Sequence, residues 1–453
     1  MVKPYLKTFC YCLCLLLYCP HTPWYTQCRN YGKTHIRNVN TCEEGEPCSE
    51  KGVVLFVGTE WQPKKTNFDI VLINRELAKH TAARGFKIYC TVYDATKQEE
   101  DDASRYNIDL LRPELSGYED IAKTLTYQDL LLNHQIFYPS LGSLDDVKFI
   151  ISHANFKGTS KAASSMHAEL FADAKFVPIF YSIPESESLP PSKAEYFERE
   201  MEDYASSADI VLSLGSNIYD YFEHKFKKMG RIRHHLYLPD IGSMIEEEGD
   251  FKAHVANVVE ILTFYSDVLV QKEMFQNFEA PAKILGDALR DVNFRQTLKL
   301  RWKIVGVEDN IYKEFQTFLR TQVSNSALTI SLYPPHSIEK LFQDLSQCHF
   351  LLYLEENTFG MPAFLAASAG IPVLASEGTG FAAFVKNTNF NSSSNFILPQ
   401  GSNVLVEKIR TLTNQYQLML DTARETKVFI HNATKYGVIA KSQQYFLNWL
   451  DEN

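Results

Sequence analysis

The chain has 453 residues, of which 45% are apolar and 22% charged, and its formal net charge is −10. That length exceeds one ordinary core and fits two domains of about 200 residues each. The balance excludes a disordered or membrane-embedded chain, and the acidic excess excludes a general nucleic-acid footprint. Any anionic ligand has to be met by local basic groups or by helix N-termini.

The first twenty residues read MVKPYLKTFCYCLCLLLYCP. Lys3 and Lys7 precede an apolar run of about ten residues, which fits a signal-peptide plan and is too short to span a bilayer. If this run acts as a signal the protein enters the secretory pathway; otherwise it is cytoplasmic. Seven of the nine cysteines fall within the first 48 residues. Cys90 and Cys348 stand alone and read as buried thiols, so no disulfide framework is expected in the folded part. Residues 1–50 are taken as a leader.

From Val53 onward, short β-branched runs alternate with amphipathic stretches, the pattern of a parallel sheet covered by helices. VVLFV (53–57) is a buried strand, followed by a helix with Ile70, Ile73, Leu77 and Ala78 on one face. FKIYCTV, KFIIS, FVPIFY and DIVLSL repeat the theme through residue 214, giving a first domain over 51–243. The acidic run MIEEEGD leads into a linker at 244–252. Alternation then restarts with VVEILTFY, WKIVGV, LTISLY and HFLLYL, giving a second domain over 253–430. Residues 431–453 read as an amphipathic helix, with Phe446, Trp449 and Leu450 on its apolar side, returning to the first domain.

The most informative stretch is LEENTFGMPAFLAASAGIPVLASEGTGFAAFV, residues 354–385. Glu355 to Phe359 would form a turn between a strand and a helix beginning near Gly360. Ligands of open α/β sheets bind beyond strand C-termini, and a helix N-terminus offers free N–H groups to an anion. Gly360 would let the backbone approach closely, and Thr379 and Gly380 begin a second such turn. Spacing alone leaves two readings open: a ligand cradle, or a well-packed strand–helix–strand unit.

In its order of parts this stretch resembles the donor-binding core of the retaining GT-B glycosyltransferases of family 4. KIVGVEDNIYKEFQTFL, which contains Gly306, resembles the family's strand–Gly–helix element. NFDIVLINRELAKHTAARGFKIYCTV and EREMEDYASSADIVLSLGSNIYDYF resemble its first-domain segments. The similarity spans roughly residues 52–450. It implies two Rossmann-like doubly wound domains facing across a cleft, a nucleoside-diphosphate sugar as donor, an unknown acceptor and no bound metal.

The resemblance also implies site residues. Glu356 or Asn357 would position the transferred sugar. Phe359, Gly360, Met361, Gly306, Thr379 and Gly380 would line the donor site, with Lys272, Lys65 and Asn67 near the diphosphate. Tyr181 stands where the family places a sugar-facing histidine, and His153 closes the strand KFIIS, where it reads either as catalytic or as structural.

The departures cluster in the same place. Leu365 occupies the position of the carboxylate that holds the ribose. Hydrogen bonds to a charged group contribute about 1.5–3 kcal/mol each, so losing two amounts to about 100-fold or more in affinity. No arginine precedes Lys272, and Pro63-Lys64-Lys65-Thr66-Asn67 replaces a Gly-Gly turn. Function therefore divides between an active transferase and a noncatalytic descendant that binds a glycan, nucleotide or protein. Lys225, Lys227, Lys228, Arg231 and Arg233 form a basic run that is either a solvated helix end or a peripheral contact with anionic lipid through 225–235.

Overall fold

The computed structural model describes residues 51–58, 60–62, 68–154, 159–184, 191–230, 232–240, 258–269, 275, 278–288, 299–323, 328–355, 358–388, 390, 397–398, 407–408 and 415–453. The leader at 1–50 and the linker at 244–252 lie outside this set, as do Glu356, Asn357, Lys272, Lys65 and Asn67.

The first lobe is a parallel sheet of strands β1 (Val53–Val57), β2 (Lys87–Thr91), β3 (Ile108–Leu111), β4 (Val147–Ala154), β5 (Lys175–Phe180), β6 (Val211–Leu214) and β7 (His234–Tyr237). Its spatial order is β3-β2-β1-β4-β5-β6-β7. The second contains β8 (Val258–Leu269), β9 (Lys299–Val307), β10 (Leu328–Tyr333), β11 (Phe350–Tyr353), β12 (Val373–Ser376) and β13 (Ile397–Leu398), ordered β10-β9-β8-β11-β12-β13. Both lobes thus start in the middle, wind to one edge, and return to build the other half. This is the Rossmann-like double winding expected from the alternation.

The central strand β1 is apolar throughout because helices cover both faces of the sheet. Leu55, Phe56 and Val57 are fully buried, and Phe56 lies in register between Cys90 and Ile151. Burying side chains of this size contributes about 1.5–3 kcal/mol each. Both Cys90 and Cys348 are buried thiols outside any disulfide, and enclosure drives the Cys90 thiol far above its usual range.

Six helices position the site. They are α1 (Phe68–Ala82), α2 (Gly215–Met229), α3 (Met361–Ala369), α4 (Gly380–Asn387), α5 (Tyr416–Lys435) and α6 (Val438–Glu452). The expected break at residue 431 falls inside α5, and the chain turns at Tyr436 and Gly437 instead. Beyond that turn, α6 docks on β7. The Ser442 hydroxyl donates to Leu236 O (2.7 Å) and accepts from Leu238 N (3.0 Å). Trp449 meets Phe149 edge to face, and Asp451 pairs with Arg84 and Lys51.

Candidate functional site

A doubly wound sheet has its crevice where the strand order reverses, between β1 and β4 in the first lobe and between β8 and β11 in the second. The helix after β1 is α1 and the helix after β11 is α3. The C-terminal end of β4 carries His153.

In the second lobe, Tyr353 ends β11 fully buried, and its hydroxyl donates to Glu355 Oε2 at 2.7 Å and lies 3.2 Å from Thr358 Oγ1. Burial, then the charges of Glu355 and Asp69, hold the Tyr353 hydroxyl well above its ordinary range. Glu355, one residue before the predicted Glu356, is thus the carboxylate seen at this turn. Tyr353→Phe removes a buried donor to a charged group and should cost about 2 kcal/mol, read as a lower urea midpoint.

Gly360 has φ +83°, the left-handed region that starts α3 without a side-chain cap, and an added Cβ would lie 3.3 Å from the Tyr353 ring. Phe359 is buried and stacks on Phe364 at 4.6 Å. Leu365 is fully buried in α3, so its apolar character serves packing. Thr379, read from sequence as a donor-side residue, is fully buried and caps α4, its hydroxyl accepting from Ala382 N (3.0 Å). Gly380 lets α4 lie against the Phe359 backbone: an added Cβ would sit 2.5 Å from Phe359 O. The structure thereby brings Phe359, Gly360, Met361, Thr379 and Gly380 into one packed block. Gly306, with φ +105°, lies two strands from β11 at the C-terminal end of β9.

The first lobe meets this block directly. Ser182 and Thr358 form an isolated antiparallel bridge, and Asn217 Nδ2 donates to Thr358 O at 3.2 Å. Gly215, at φ +76°, makes room for the Phe359 ring, whose Cδ2 would lie 3.1 Å from an added Cβ. Asn387 of α4 donates to the Ser216 hydroxyl of α2 at 3.1 Å.

His153 is 2% exposed, and neither ring nitrogen has a hydrogen-bond partner among the described residues. Burial pushes its imidazole down to about 3, so the ring is neutral at physiological pH. The Tyr181 ring stands edge to face with it at 6.0 Å, one residue before the bridging Ser182. Buried polar atoms in native proteins are nearly always satisfied, so this imidazole at a switch point calls for a water or a ligand as partner.

Asp69 went unnoticed in the sequence. It lies in the first turn of α1, is 7% exposed, and its Oδ2 accepts from Met361 N at 3.3 Å, 292 residues away. An acidic residue in a first helical turn is so common that nothing singled it out. Two members of the basic run have carboxylate partners. Lys225 pairs with Glu198 and Lys227 with Glu223, while Arg231 is outside the described residues.

Known proteins share this architecture. The sucrose-phosphate synthase of Thermosynechococcus elongatus superposes with a TM-score of 0.60 at 13% identity, over 88% of this chain and 99% of that one. The catalytic domain of starch synthase IV from Arabidopsis thaliana, bound to ADP and acarbose, gives 0.56 at 9% over 89% and 100%. Anabaena HepE in complex with UDP and glucose gives 0.54 at 13% over 89% and 100%. At these identities the likeness is one of fold, and that fold is GT-B. No curated protein matches the sequence. The profile of family 4 glycosyltransferases in conflict systems matches residues 55–435, and the family and fold together support a glycosyltransferase function. The chain is a member of that family.

Proposed function

We propose that the protein is a retaining glycosyltransferase that takes a sugar from a nucleoside diphosphate in the cleft between its lobes. The observation that carries this reading is His153, a neutral imidazole with two unfilled hydrogen-bonding positions at the β1/β4 switch point. With so low a pKa it is a poor proton acceptor, so its work is to hydrogen-bond a sugar hydroxyl, alongside Tyr181. The resemblance would have Glu356 or Asn357 position the sugar and Lys272, Lys65 and Asn67 meet the diphosphate, all of them outside the described residues. In the transfer the bond from the anomeric carbon to the diphosphate oxygen breaks, and its electron pair leaves with the phosphate. The acceptor oxygen bonds on the vacated face, and its proton passes to the departing phosphate oxygen.

A second reading, a noncatalytic module on the same fold, is favoured by Asp69 at Met361 N and by buried Leu365 in place of a ribose-binding carboxylate. A panel of uridine, guanosine and adenosine diphosphate sugars separates the two. At least one donor should release nucleotide, and His153→Ala should slow that release at least tenfold, about 1.4 kcal/mol or more. No release across the panel would leave the binding module as the function.

A further inference from the structure

The first turn of α3 has few donors to offer an anion. Pro362 has no N–H. Ala363 N and Phe364 N both turn back to Gly360 O, at 3.0 and 3.2 Å. Met361 N is the remaining amide of that turn, and Asp69 Oδ2 holds it. Asp69 itself belongs to the first turn of α1, so the electropositive ends of two helices share one carboxylate. These helices follow the strands at the two switch points, one in each lobe, and the contact is buried.

The geometry points to Asp69 as an intramolecular stand-in for the donor's diphosphate, a latch that joins the lobes and must be displaced before a nucleotide can bind. The inference rests on the transferase reading, since it takes the diphosphate as the competitor. Two negative groups cannot share one amide donor at the meeting point of two helices. The 3.3 Å separation is long for an N–H···O bond, so a multiply charged ligand can compete with Asp69 for this amide. While it holds, apparent donor affinity is lowered by the fraction of molecules that are latched.

Titration calorimetry of the full chain with UDP, GDP, ADP and inorganic pyrophosphate tests this on wild type, Asp69→Asn and Asp69→Ala. Asparagine preserves shape and removes charge. Both variants should bind at least one of these ligands tenfold or more tighter than wild type. Equal or weaker binding by both variants, with wild type still binding, overturns the latch and leaves the transferase reading standing. Failure of all three proteins to bind any of the four ligands removes the donor reading and the latch with it. In wild type, the Asp69 carboxylate 13C resonance should shift on saturation with the ligand that binds. An unmoved resonance counts against the latch even if both variants fail to fold.

Discussion

Between pH 6.5 and pH 5 the protein should lose on the order of 3 kcal/mol of stability through two histidines, at up to about 1.4 kcal/mol per pH unit for each. Burial lowers His153 to about 3 and His235 to about 4. His235 is the less enclosed of the two, and its Nε2 lies 3.0 Å from Ser442 O. In the unfolded chain both return to about 6.5. Between the folded and unfolded values the unfolded chain binds protons that the native state refuses, so stability rises with pH across this window. It is fully present above about pH 6.5 and is lost progressively as the pH falls. Urea midpoints at pH 8, 6.5 and 5 measure the slope, and His153→Phe should remove about half of it. A curve that stays flat from pH 8 to pH 5 would show that neither ring is desolvated as described. Because His153 is also proposed to hold the sugar, bound donor should raise stability in wild type and much less in His153→Phe.

Gly380→Ala should cost about 3 kcal/mol, the upper range for forcing extra volume into a packed interior. The added Cβ would stand 2.5 Å from Phe359 O and 2.9 Å from Phe359 Cα, and backbone cannot rotate aside as a side chain can. Thr358 O accepts from Gly380 N at 2.8 Å, so separating the segments to make room also breaks that bond. Gly142→Ala is the control, since nothing lies within 4 Å of a Cβ there. Denaturant midpoints of the two variants should differ widely. Similar midpoints would mean that the β11–α3 turn can move away from α4 at little cost.

The sheets were legible because their central strands are apolar runs bounded by turn residues, as VVLFV and HFLLYL illustrate. The end of β4 was legible for a related reason: a histidine that closes an apolar strand is conspicuous. The residues of the second turn were legible, and the structure gives them a packing role that the sequence did not single out. Thr379 before a helix fits a cap as well as it fits a ligand contact, and its hydrogen bond to Ala382 N shows the cap. Gly380 fits close approach to a phosphate or to another backbone, and here the backbone is that of Phe359. Asp69 was beyond reach, because its partner is a main-chain amide in the other lobe, and a main-chain donor leaves no trace in residue identity. Tyr353 was hidden inside an apolar strand, where a tyrosine reads as bulk and its hydroxyl goes uncounted.

The hairpin of α5 and α6 has a mechanical consequence. Helix α5 packs against α3 of the second lobe, while α6 is fastened to β7 of the first, with only Tyr436 and Gly437 between them. Gly437 is wedged against the end of α5, where an added Cβ would lie 2.8 Å from Ala433 Cα. The polypeptide therefore passes from lobe to lobe twice, once between β7 and β8 and once here. A body joined at two places turns about the line through both, as a door turns on its pins, and cannot splay in every direction. Lengthening the Tyr436–Gly437 junction with inserted glycines would free that swing without touching a single residue of the cleft.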